Sequence, residues 1–276
     1  MKKKYLKIAA FIVSLILIGG ILTLANGMVG NPISKHLAER SALKRLETMY
    51  KEYELKEVFY SFKDGCYYAR LYNPSSEDSD FNMVFDWRGQ LEREDYEERV
   101  LKRRNTADRL EREYRELADK VLESTSYPYE GEIRFGSLCI SSREYMDDPK
   151  ITDIPDFAIA SEDLELDKSY DISELGRTCG ELTIYVEDQD VSPENAADIM
   201  IDIKRRMDEA GIGFRAMDFK LSAPREEEEN GAEEWIGSEN FLYEHIYEEG
   251  MEERIVEADK LLKEYYERLD ALKNAK

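Results

Sequence analysis

Residues 181–221, ELTIYVEDQDVSPENAADIMIDIKRRMDEAGIGFRAMDFKL, decide the fold. Glu181 to Glu187 is rich in β-branched and aromatic residues and reads as a strand. Ser192 is a good helix N-cap, and Pro193 suits the first helical position because its missing N–H has no partner there anyway. Ala196, Met200, Ile203 and Met207 then recur on one helical face, and Gly211 is a usual stop. Phe214 to Leu221 alternates apolar and polar residues, as a strand with one buried face does.

The flanks extend this unit. Upstream, Glu132 to Ser141 reads as a strand, and Asp147 to Tyr170 is acidic and irregular. Downstream, Pro224 to Gly237 reads as an acidic loop with four consecutive glutamates, and Phe241 to Tyr247 as a strand. After Gly250, the residues Met251, Ile255, Ala258, Leu262, Tyr265, Leu269 and Leu272 form a long helical stripe. The order β-…-β-α-β-β-α predicts a small antiparallel sheet with helices on one face, a ferredoxin-like arrangement.

The segment Ser124–Gly131 (STSYPYEG) reads as a boundary, and the half before it has a different order. Asn31-Pro32 starts a helix running to about Tyr53, with Ala38, Ala42, Leu46 and Met49 on a small apolar face. Leu55–Phe62, Cys66–Tyr72 and Phe81–Trp87 read as strands, the first two joined at Lys63-Asp64-Gly65, where Asp-Gly tolerates the positive φ of a tight turn. A long helix is expected from about Asp95 to Glu123. Val100, Ala107, Tyr114 and Val121 recur every seven residues on it, and its natural task is to cover the three-stranded sheet. Arg103 falls on the same seam and argues against a coiled coil. The fold class is thus α+β, with residues 8–30 as a transmembrane helix after a basic tail (1–7), a first domain at 31–124 and a second at 131–276.

The transmembrane expectation rests on an uncharged apolar run from Ile8 to about Val29, long enough to cross a hydrocarbon core of about 30 Å. A cleaved signal peptide is the competing reading, with Thr23 and Ala25 as small residues near a cleavage point, but secretory apolar regions are shorter. Lys2, Lys3, Lys4 and Lys7 favour the cytoplasmic side, which places the rest of the chain outside the cytoplasm.

The formal net charge is −22, from 61 acidic and 39 basic residues. Such a surface repels phosphate backbones and anionic lipid headgroups, so nucleic acid is excluded as a partner; the charge serves solubility first, and it would also favour cations, basic peptides or a cationic polymer. Eighteen tyrosines and ten phenylalanines set the chain apart from acidic disordered sequences. Cys66, Cys139 and Cys179 are too scattered for a disulfide framework; Cys139 and Cys179 both lie in strand-like runs and either pair or remain buried thiols.

No catalytic, cofactor-binding or metal-binding residue is assigned. His36 and His245, the only histidines, lack any motif of nucleophilic catalysis around them. No zinc spacing occurs, and the acidic stretches Glu77–Asp80 and Asp163–Asp171 lack the glycine and pattern of a calcium loop. Glycine-rich phosphate loops are absent. Carboxylate pairs for glycoside hydrolysis leave no short motif, so 61 acidic residues neither support nor exclude them.

Gly30-Asn31-Pro32-Ile33-Ser34-Lys35, directly after the apolar run, and Lys63-Asp64-Gly65 followed by Tyr67 resemble the YfjL-like family of uncharacterised membrane proteins from Gram-positive bacteria. The likeness covers the first hundred residues and is weaker in the C-terminal half. It implies architecture, a membrane location and a Gram-positive host, but no site. The expectation is a membrane-anchored extracytoplasmic module, non-enzymatic, that binds an unknown protein, peptide or envelope component. The alternative is a surface hydrolase with a carboxylate-based site.

Overall fold

A computed structural model describes residues 2–224 and 234–274. Its contacts divide the chain into two compact units, Met1–Asn105 and Thr106–Lys276.

The first unit begins with α1 (Lys2–Val29), which by length and composition is able to cross a membrane. Gly30 ends it at φ 71°, and Asn31 caps α2 (Pro32–Thr48), its side chain accepting a hydrogen bond of 2.8 Å from the Ser34 N–H. α2 buries Ser34, Ala38, Ala42 and Leu46; two fully buried alanines let the helix lie close to the sheet beneath it. Met49, expected on that face, lies past the helix end and is exposed.

The sheet is antiparallel, in the order β1 (Glu54–Ser61), β2 (Cys66–Tyr72), β3 (Phe81–Phe85), β4 (Leu91–Glu94). The expected turn is present, with Gly65 alone taking positive φ. β4 was not expected. Three of its four residues, LERE, are charged because it is an edge strand with little to bury. The single long helix expected from Asp95 is also corrected: a π-helical turn at Glu97–Leu101 stops where Arg103 adopts φ 61° and its guanidinium hydrogen-bonds the Val100 carbonyl.

The regular helix α3 (Arg104–Leu122) does not cover the first sheet. Its buried stripe, Ala107, Leu110, Tyr114, Ala118 and Leu122, belongs to the core of the second unit. Glycines decide this. A Cβ on Gly136 would stand 2.7 Å from Ala118 and 2.9 Å from the Tyr114 ring, and one on Gly176 would stand 2.5 Å from the same ring. Tyr114 fills that slot and donates a 3.0 Å hydrogen bond to the Gly213 carbonyl.

The second unit continues with β5 (Arg134–Leu138), β6 (Ile140–Ser141), α4 (Arg143–Met146), β7 (Ile159–Ala160), α5 (Ile172–Cys179), β8 (Gly180–Glu187), α6 (Pro193–Glu209), β9 (Ala216–Ser222), β10 (Trp235–Leu242) and α7 (Met251–Asn274). The main sheet runs β10-β9-β8-β5, and β6 and β7 form a two-residue parallel ladder. The α+β class stands, but the sheet is mixed rather than wholly antiparallel: β8 and β9 are parallel, because α6 returns the chain to the end from which β8 started. Ser192 caps α6 as expected, and Ala196, Met200, Ile203 and Met207 are all fully buried.

Three local expectations change. Cys179 ends a helix, α5, which Asp171 caps through the Glu174 N–H. β10 starts within the stretch read as an acidic loop and ends at Leu242, so the strand expected to reach Tyr247 gives way to a 3-10 turn at Tyr243–His245. The glutamate run of the expected loop lies outside the described residues. On α7, Met251 and Ile255 are buried and Leu262 and Leu269 half-buried, whereas Tyr265 is exposed.

Candidate functional site

Helices cover one face of the main sheet in the second unit and leave the other face more open, with Glu181, Thr183 and Tyr185 of β8 partly accessible. In the parallel register Thr183 lies beside Asp218 and Glu181 beside Ala216, so Glu181 and Asp218 occupy the same face. The two carboxyl groups titrate as a pair, each shifting the other, and a buried pair of this kind favours holding one proton between them. Burial, then the charge of Asp218, pushes Glu181 up to about 7. Burial also raises Asp218, opposed by the Asn240 N–H, which donates to it at 2.6 Å. Asn240 reaches it from an irregularity in the β9–β10 pairing, at φ 52°.

Beside this pair runs a groove of about 300 Å³, lined by Tyr185, Asp218, Lys220, Trp235, Glu239 and Tyr266 among others. α7 builds one wall. Its Asp259 accepts from the Gly237 N–H at 3.1 Å, Lys263 donates to the Trp235 carbonyl at 3.0 Å, and Tyr266 donates to Glu239 at 2.5 Å. That last bond, and burial after it, pushes the Tyr266 phenol up to about 12. The Trp235 ring already carries ammonium groups over it, Lys263 at 4.7 Å and Lys220 at 5.8 Å from its centre. A cleft combining π faces with carboxylates is chemically suited to cationic groups.

The residues weighed in the sequence do not converge here. His36 has an exposed side chain 4.0 Å from Glu39, and His245 sits in the 3-10 turn with its ring 6.4 Å from Phe241. Asp80 pairs with Arg70 and Asp163 with Arg143, while Asp171 is a helix cap. Among the described residues, no three His, Cys, Asp or Glu side chains form a metal-holding group. All three cysteines are free thiols. Cys139 and Cys179 are backbone neighbours, but the Cys139 thiol lies 3.7 Å from Glu181 and the Cys179 thiol bonds the Leu175 carbonyl. Burial raises both pKa values, that of Cys179 to about 12.

Glu181 and Asp218 escaped the sequence reading. Each is a charged residue at an outward position of an amphipathic strand, the ordinary pattern of a solvated face. Only the parallel β8–β9 register brings them together.

A model of the YfjL-like N-terminal domain matches residues 2–96, and one of the YfjL-like C-terminal domain matches residues 113–256. No curated protein and no solved structure matches the chain.

Proposed function

We propose that this chain, which belongs to the YfjL-like family, is a membrane-tethered module, its two folded units outside the cytoplasm, that binds a cationic partner rather than transforming a substrate. The observation that carries the reading is the groove beside Asp218 and Glu239, walled by Tyr185, Trp235 and Tyr266. A lysine- or arginine-bearing peptide, or an amine-bearing envelope polymer, matches its charge and its π surfaces. The apolar length of α1 supports tethering, and the net charge of −22 supports a basic partner.

Titration of the full chain carrying Trp87→Phe with short oligo-arginine and oligo-lysine peptides, followed through Trp235 emission, tests this. Binding is expected to weaken with salt and in Asp218→Asn and Glu239→Gln. Binding unchanged by both substitutions would place the peptide elsewhere. Protease digestion of intact cells tests the side on which the units lie.

The proton shared by Glu181 and Asp218 favours a second reading, a carboxylate-based hydrolase, since a carboxyl titrating near neutrality is suited to acid–base work. Direct contact of the two groups, however, leaves none of the gap of roughly 5 Å or more that glycoside hydrolysis requires. Hydrolysis of glycosides or peptide amides, abolished by Glu181→Gln with peptide binding retained, would establish that reading in place of the first.

A further inference from the structure

The first unit carries a second surface. β1 and β3 both pair antiparallel with β2, so they run in the same direction and their far turns, residues 62–65 and 86–90, lie at the same end of the sheet. The exit of α1 lies at that end too. The Tyr60 hydroxyl donates to the Gly27 carbonyl at 3.2 Å, and the Asn31 N–H donates to the Tyr67 hydroxyl at 2.8 Å. A Cβ on Gly30 would meet the Tyr60 ring at 2.7 Å, and one on Gly89 would meet the Leu37 backbone at 2.8 Å.

The side chains displayed there are unlike the rest of an acidic surface. Phe62 is 68 % exposed, Trp87 61 % and Ile33 75 %. Lys63 adjoins Phe62, and the Arg88 guanidinium lies 4.5 Å from the Trp87 ring centre. The nearby acids are each engaged by protein groups: Asp64 accepts from Ser61 and Tyr68, Asp86 from the N–H groups of Arg88 and Gln90, and Glu92 from the Cys66 thiol. Exposed aromatic rings beside basic groups are the composition of a membrane–water interface.

We propose that this end of the first sheet is seated in the bilayer interface, with Phe62 and Trp87 at headgroup depth and Lys63 and Arg88 on lipid phosphates. The proposal rests on α1 spanning the membrane; its continuity with that helix, through Gly30, selects a bilayer as the occupant. Glu54 and Ser61, the ends of β1, are seven residues apart, about 23 Å at about 3.3 Å per residue, so the other end of the sheet stands clear of the lipid.

The test uses the full chain in vesicles of phosphatidylcholine and phosphatidylglycerol, with some lipid brominated in the upper acyl chain. In Trp235→Phe, which leaves Trp87 as the sole tryptophan, a blue-shifted emission lost to the bromolipid is expected. The difference between wild type and Trp87→Phe gives the same component without altering Trp235. On the doubly substituted background, Phe62→Trp should be quenched and Glu54→Trp should not. Water-like, unquenched Trp87 emission from protein that stays with the vesicles through an alkaline carbonate wash overturns the proposal and leaves the anchor standing. Equal quenching of the Phe62→Trp and Glu54→Trp reporters overturns it as well, because the sheet then lies flat. Protein released by the wash removes the anchor and the proposal together.

Discussion

Replacing Glu181 by glutamine should make the second unit more stable in alkali and leave it unchanged in acid. The glutamine keeps the shape of the side chain and can donate to Asp218, but cannot ionise. Folding moves the Glu181 carboxyl from its usual 4.5 to about 7, chiefly through burial and then through the Asp218 charge. At about 1.4 kcal/mol per pKa unit this is about 3 kcal/mol, and about 2 kcal/mol remains once the partial exposure of the group is allowed for. The sign follows from proton binding. Between pH 4.5 and about 7 the folded chain holds a proton that the unfolded chain has released, so stability falls as pH rises through that window. The assay is guanidinium unfolding followed through Trp235 in a Trp87→Phe background, so that the signal comes from the second unit. The variant and its parent should agree at pH 4.5 and below and differ by about 2 kcal/mol at pH 8. Parallel pH profiles, or a variant less stable than its parent at pH 8, would refute the shared proton.

Other outcomes are equally specific. Gly30→Ala puts a side chain at φ 71° and against Tyr60, costing about 2 kcal/mol and reducing hydrogen-exchange protection in β1 and β2. Gly176→Ala, whose Cβ would stand 2.2 Å from the Gly213 carbonyl, should destabilise the second unit by about 3 kcal/mol, and Tyr114→Phe by about 1 kcal/mol through the lost bond to Gly213; chemical denaturation reads both. Cys139 and Cys179, both raised by burial, should resist alkylation at pH 8 until denaturant is added, and rapid labelling of native protein would contradict their burial.

Where periodicity met caps, the sequence was readable. α6 is legible from Ser192-Pro193 to Gly211 because local chemistry and burial pattern agree along its whole length. The assignment of α3 was not legible: its apolar stripe says that it buries a face, not which sheet receives it. That choice rests on the slot left by Gly136 and Gly176, a tertiary feature with no local signature. β4 and α5 were missed because a four-residue charged edge strand and an eight-residue helix carry too few apolar positions to show a period. Glu181 and Asp218 lie 37 residues apart in sequence, and nothing short of the β8–β9 register identifies them as a pair.

The edges of the first sheet have a consequence for crowding. Molecules confined to a surface meet one another far more often, and in more uniform orientation, than molecules free in solution. A sheet with long, bare, apolar margins would under those conditions stitch to its neighbours strand by strand. Here one margin, β4, is four residues long with Glu92 and Arg93 exposed, and the other, β1, exposes Lys56 and Glu57 along its outer run. The shortness of β4 and the charges on both margins make lateral stitching costly, although β1 also exposes Phe59. Copies tethered as proposed can thus lie densely without pairing through these margins.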